Sequence, residues 1–144
     1  VQALQLKASA IRLLDPKKRI LELVASHGLS EKYLNKGPVD ADKSIADAME
    51  GKTISAYNVT EDPRAQYPKE AKEEGIASIV SVPLRIKGRV IGVMRLYTPE
   101  PREFSEEEIN SAEVLAETGA IAIENAKMYE RIKKDYESIM RDLY

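Results

Sequence analysis

This sequence predicts an α+β fold with an antiparallel sheet, and three observations lead there. Five runs have strand character, and most are joined by turns too short for the dozen or more residues of a parallel crossover. The helical segments fall between and after these strands rather than alternating with them. Finally, helical periodicity runs from about residue 105 essentially to the last residue, without proline and with a single glycine, Gly119.

The first strand is expected over residues 3–14 (ALQLKASAIRLL), which partly alternate. Asp15-Pro16-Lys17-Lys18 is a turn with proline at its favoured second position. Residues 19–26 (RILELVAS) read as the returning strand, ended by His27-Gly28. Helical periodicity also fits so short an apolar run. A loop region follows over 29–42, with a helical turn at SEKYL and a stop at Gly37-Pro38. Residues 44–50 form a short helix with Asp42 as a candidate N-cap, Ile45, Ala48 and Met49 inward, and Gly51 as the stop. Residues 53–59 (TISAYNV) are a third strand. Asp62-Pro63 opens an irregular stretch in which 68–73 make one or two helical turns before Gly75.

The clearest signals come last. SIVSVPLRI and RVIGVMRLY form a hairpin, strands 77–86 and 89–98, joined at Lys87-Gly88. After TPEP, Ser105 and Glu108 have the spacing of a capping box, and Phe104 and Ile109 that of a hydrophobic staple. About 40 helical residues span roughly 60 Å, whereas a domain of about 100 residues has a radius of gyration near 13 Å. The helix must therefore leave the globule. Tyr129, Ile132, Tyr136, Ile139 and Leu143 recur at heptad spacing along its end. Upstream, Ala112, Ala116, Gly119, Ala120, Ala122 and Ala126 are small enough for close approach to the sheet or to a second subunit.

Composition removes several function classes. The 144 residues suffice for one domain with its own core. With no cysteine, thiol nucleophiles, redox pairs and thiolate metal sites are excluded. A net charge of −2 and a pI near 5.6 argue against a nucleic-acid surface. No run approaches the ~20 apolar residues that span a bilayer, and no export signal precedes the first strand, so a cytoplasmic location is expected. The single histidine, His27, lacks partners for a metal or a triad and reads as a turn residue. Asp40-Ala41-Asp42-Lys43-Ser44 is no calcium loop, because Ile45 and Gly51 stand where glycine and a bidentate glutamate are required. Glu106-Glu107-Glu108 satisfy the helix dipole. No serine elbow or phosphate-cradling glycine loop is present.

The pieces IRLLD (11–15), LVASHGLSE (23–31), ADAMEGKTISAYNVTEDPR (46–64), SIVSVPLRIKGRVIGVMRLY (78–97) and FSEEEINSAEVLAETGAIAIENAKMYE (104–130), in that order, resemble a GAF domain, a relative of the PAS fold. The resemblance implies a five- or six-stranded antiparallel sheet with helices on both faces. The terminal helices would cover one face, while short helices and loops on the other would roof a ligand cavity. The family usually carries a helix before the first strand, so this chain is expected to be a piece of a longer protein. The Asn-Lys…Phe…Asp-Glu signature of cyclic-nucleotide-binding members is missing, since the only phenylalanine is Phe104. Lack of cysteine rules out covalent bilin attachment and the family's methionine-sulfoxide reductase chemistry.

Within the implied roof, the candidate ligand-binding residues are Ser44, Ile45, Asn58, Asp62, Arg64, Tyr67 and Ser81. The start of the short helix would offer free backbone amides. Asn58, Asp62, Arg64 and Tyr67 add hydrogen-bonding groups, and Ser81 is a small polar residue in an apolar strand. The alternative is equally concrete: Asp62-Pro63-Arg64 a plain turn, Asn58 a strand terminator, Ser81 a core hydroxyl. The expected organisation is a sensory domain over 1–126 and a signalling and dimerisation extension of the helix over 127–144. It would bind a small molecule non-covalently, act as a homodimer, use no cofactor or metal, and catalyse nothing. A ligand-free dimerisation module is the competing reading, with a small enzyme on the same fold behind it.

Overall fold

A computed structural model describes residues 6–15, 17–40 and 46–143. In chain order the elements are strands β1 (Ala8–Asp15) and β2 (Ile20–His27), helix α1 (Glu31–Leu34), strand β3 (Val39–Asp40), helix α2 (Ala46–Met49), strand β4 (Ile54–Ala56), helix α3 (Pro68–Glu74), strands β5 (Ser78–Ile86) and β6 (Arg89–Thr98), and helix α4 (Glu106–Leu143). One sheet of order β3-β2-β1-β6-β5-β4 holds all six strands, and every pairing is antiparallel.

The strands expected at 3–14, 19–26, 77–86 and 89–98 are present with shifted ends; positions 3–5 lie outside the described residues, as do Pro16 and Asp42. Asp15 closes the first turn by accepting from the amides of Lys17 at 3.0 Å and Lys18 at 3.3 Å. The strand expected over 53–59 is only Ile54–Ala56. The chain turns away because the Asn58 carboxamide accepts from the Thr60 amide and hydroxyl, at 3.1 and 2.7 Å. Such a side-chain turn competes with a ladder. β3 was not anticipated from the residues: two residues carry no periodicity, and it exists only by pairing with Ile20 and Leu21.

β5 is buried from Ser78 to Leu84, and β6 from Gly92 to Thr98. Neighbouring side chains on these central strands point to opposite faces, so both faces are covered. On one face, Val80, Val82, Leu84, Met94 and Leu96 pack against Ala112, Ala116 and Ala120 of α4. Those alanines recur every four residues and form a single stripe, small enough to seat the helix close to the sheet. On the other face, α1, α2, α3 and the loops form a roof over Ala8, Ala10, Ile79 and Tyr97, with Tyr33 of α1 packed among them and a second cluster of Leu21, Val39, Ala48 and Val93.

Gly92 sets the approach of β1 to β6. A Cβ there would overlap the carbonyl oxygen of Arg12 and meet Leu13 Cα at 3.0 Å.

The capping box at the start of α4 is complete. Ser105 Oγ accepts from the Glu108 amide at 3.1 Å, and the Glu108 carboxylate accepts from the Ser105 amide at 3.0 Å. Those bonds, with help from Arg102, hold the Glu108 carboxyl below its usual range. Ser105→Ala is expected to cost about 1 kcal/mol of stability, and an unchanged urea midpoint would remove Ser105 from the cap.

At 38 residues, α4 is about 57 Å long. Its side away from the sheet carries Leu115, Ala122, Tyr129 and Tyr136 at intervals of seven, with Ile132 and Ile139 in the alternate positions; Leu115, Tyr129, Tyr136, Ile132 and Ile139 are all more than half exposed. Val114, Ile121 and Met128 flank the row and are also about half exposed or more. The exposed apolar row therefore reaches upstream of Tyr129, onto the part of the helix that also packs on the sheet, with Thr118 and Asn125 at its alternate positions there.

Candidate functional site

Paired residues on antiparallel strands share a face, so the register decides which side chains look into the roof. Ala10 pairs with Arg95, Arg12 with Val93, Ile79 with Tyr97, Ser81 with Arg95, and Ile54 with Ser81. Arg12, Arg95, Tyr97, Ile79, Ser81 and Ile54 thus form the floor. Arg12 and Arg95 are diagonal neighbours on it, roughly 7–8 Å apart at the backbone and within reach of long side chains.

Above the floor, α1 is N-capped by Ser30, whose hydroxyl accepts from the Tyr33 amide at 3.1 Å. Ser30 in turn donates from its amide and hydroxyl to Glu74 of α3, at 2.7 and 2.6 Å, joining the two helices. The segment between α1 and β3 is fastened to the following loop by Gln66. Its carboxamide donates to the Pro38 carbonyl at 2.9 Å and accepts from the Asp40 amide at 3.1 Å, while the Tyr67 hydroxyl also donates to Pro38. Gly37 fits here because its φ is +142° and any Cβ would press on the Tyr67 ring and hydroxyl.

Among the described residues, two small voids lie between floor and roof. One, of ≈ 20 Å³, is bordered by Ile54, Ala56, Asp62, Arg64, Ser81 and Arg95 among others. The second, of ≈ 10 Å³, lies among Tyr33, Lys36, Gln66, Tyr67, Ile79 and Arg95. Each has room for about one water. Arg95 borders both.

The sequence candidates separate accordingly. Asp62, Arg64 and Ser81 meet at the first void and Tyr67 lines the second. Asn58 borders neither; it is occupied by its own turn. Ser44 and Ile45 lie outside the described residues. Asp62 and Arg64 form a two-point ion pair, at 2.7 and 3.0 Å, and Arg64 also reaches the Ser55 carbonyl at 3.4 Å. The Arg64 hydrogen bonds hold the Asp62 carboxyl below its usual range. This pair reads as a rim latch between β4 and the loop.

What sequence reasoning missed is the floor's charge. Arg12 and Arg95 are only 5% and 6% exposed, and the Nε–H of each lacks a hydrogen-bond partner among the described residues. Arg12 Nη1 donates to the Leu21 carbonyl at 3.3 Å. The buried Lys36 ammonium likewise has no hydrogen-bond acceptor. It sits 4.0 Å from the centre of the Tyr33 ring and 5.5 Å from that of Tyr67, while the Arg95 guanidinium is 5.8 Å from that of Tyr97. Aromatic faces offset part of a buried cation's lost hydration. Tyr33 and Tyr97 also pack edge to face at 6.2 Å. Burial, then the charges of Arg12 and Arg95, push Lys36 down to about 7. Burial also lowers Arg12 and raises the Tyr33 hydroxyl. A signal was available: Arg95 falls on the same face as Val93 and Tyr97 in a run that is otherwise largely apolar on both faces.

No group of histidine, cysteine, aspartate or glutamate suited to a metal occurs among the described residues. Nor is any described helix long and apolar enough to cross a membrane.

The chain is similar in structure to a domain described as part of a two-component sensor histidine kinase from Sinorhizobium meliloti 1021, at 27% identity and a TM-score of 0.74, covering 89% of this chain and 85% of that one. It is similar in fold to the GAF domain of a phosphoenolpyruvate-protein phosphotransferase from Coxiella burnetii, at 21% identity and a TM-score of 0.77, covering 89% and 77%. A type II free methionine-R-sulfoxide reductase from Thermoplasma acidophilum shares the fold at 16% identity and a TM-score of 0.67, covering 83% and 79%. No curated protein matches the chain. The GAF domain family model matches residues 1–124, and with the six-stranded antiparallel sheet, its roof and the long closing helix, the chain belongs to the GAF domain family.

Proposed function

We propose that this GAF domain is a non-catalytic sensory module of a cytoplasmic signal-transduction protein. It holds a small molecule non-covalently between sheet and roof, and α4 carries the response to an output domain as one half of a parallel homodimer. One observation carries the reading. The side chains buried between α4 and the sheet are apolar, whereas the roof face buries Arg12, Arg95 and the Lys36 ammonium with donors left unpartnered, beside two small voids. A pocket with a few convergent polar groups is the common form of a small-molecule site. Occupancy would favour one packing of the roof, and the sheet and α4 would follow as a shift of population.

The competing reading, a ligand-free dimerisation module, draws on the small size of the voids. Native mass spectrometry of freshly purified protein, followed by denaturing release, separates them. A stoichiometric small molecule is the expected result. An empty protein whose Ile79 and Ser81 amide resonances ignore a diverse fragment library would favour the dimerisation module.

A further inference from the structure

We propose that Arg12, Lys36 and Arg95 form the recognition element for a compact dianion, carboxylate or phosphate, seated beneath the roof. This deepens the sensing reading and rests on it. Arg95 of the floor and Lys36 of the roof border the same void, and Arg12 lies beside Arg95 on the adjacent strand, each of the three keeping a donor without a partner. Buried charges are normally paired. Here the acids that act on Lys36 are Glu70 and Glu74 of α3, and Glu74 is already held by Ser30. Asp62 is held by Arg64 on the other side. The acids stand at the rim, and the cations face each other across the interior, two from the floor and one from the roof. An anion within would supply the missing charge and acceptors together.

A guanidinium edge suits the paired oxygens of a carboxylate or phosphate. Neither void holds more than a water-sized occupant, and Arg95 is the one charged side chain among the four residues, with Val59, Ala65 and Ile79, that border both. The anion therefore enters by drawing Arg95 aside and merging the two spaces. That movement displaces a β6 side chain that directly contacts the roof, which links occupancy to the sheet.

The groups facing Lys36 are Tyr33 from α1, Tyr67 from the roof loop, Arg12 from β1, Arg95 from β6, and Glu70 and Glu74 from α3. In the ligand-free protein Lys36 titrates near 7, depressed mainly by burial. A bound anion stabilises the ammonium and raises that value. At pH 8 binding must then take up a proton, and affinity must fall as pH rises above about 7.

The test titrates the 144-residue chain with inorganic phosphate and with succinate at constant ionic strength, chloride replacing the anion and neutral succinamide as control. Expected are saturable shifts of the Arg12 and Arg95 Nε–H resonances with at least one dianion, proton uptake at pH 8 by calorimetry, and a dissociation constant about 10- to 100-fold weaker in Lys36→Met and Arg95→Met. Lys36→Met, outside the sheet, serves should Arg95→Met fail to fold. Equal response to succinamide, or undiminished binding by folded variants, overturns the proposal. Neutral fragments that shift Ser81 and Ile79 while both dianions leave the arginines unmoved overturn it too, yet leave the sensing reading standing. If nothing binds at all, both fall.

Discussion

Gly92→Ala is expected to lower the unfolding free energy by about 3 kcal/mol, the upper range for inserting one methyl into a filled interior. The reason is local and backbone-based. The new Cβ would overlap the Arg12 carbonyl oxygen and crowd Leu13 Cα, and a main-chain oxygen in a central strand cannot turn away as a side chain can. Relief requires β1 to move off β6 along the Ala8–Leu13 register, the pairing that carries Arg12 and Arg95 into the same interior. Urea denaturation of both proteins measures the effect. A loss below about 0.5 kcal/mol, typical of surface changes, would mean the strands are more loosely apposed than described. If succinate or phosphate binding is present in the parent chain, the variant should weaken it as well, because the two arginines shift relative to one another.

The second large effect concerns α4. In the parallel dimer proposed above, Ile132→Lys together with Ile139→Lys is expected to weaken self-association at least about 100-fold. Each isoleucine is more than half exposed in the single chain, at 62% and 56%. Burying such a side chain contributes up to about 1.5–3 kcal/mol, and the double change removes four from a twofold interface. Two lysines per helix facing each other add repulsion. Sedimentation equilibrium at micromolar concentrations reads the change. A parent chain that is strictly monomeric, or a double variant that dimerises equally well, would remove the helix from the signalling mechanism. Asn125 falls at a seam position between Leu115 and Ile132 and would help fix the register. Asn125→Leu should therefore tighten association while loosening its specificity.

Local devices were legible in the sequence. Ser105 and Glu108 bond reciprocally, as their spacing required, and Gly75 stops α3 in a left-handed conformation. Both are decided within a few residues. β3 was not legible, because Val39 and Asp40 acquire strand geometry from Leu21, Ile20 and the Gln66 side chain, all distant in the chain. Asn58 was open to two readings, a ligand contact or a strand terminator. Its carboxamide oxygen accepts from the amide and hydroxyl of Thr60, two residues away, so the local turn is formed whatever else the side chain does. The charged floor was hidden for a third reason. Arg12 and Arg95 are 83 positions apart, and only the β1–β6 register makes them diagonal neighbours. Alone, an arginine in a strand suggests solvent. Their shared burial, with Lys36 arriving from beyond α1, is a property of topology.

The stripe of Ala112, Ala116 and Ala120 has a mechanical consequence. Alanine has no side-chain torsion to adjust. A larger residue could absorb a small displacement of β5 by changing rotamer, leaving the helix axis where it was. Three alanines cannot, so displacement of the strand beneath is delivered to the helix as a rigid shaft. Leu115, Ala122 and Tyr129 ride on the far side of that shaft and turn with it. Whatever displacement the sheet's own side chains do not absorb would then be carried along the helix and read out tens of ångströms away.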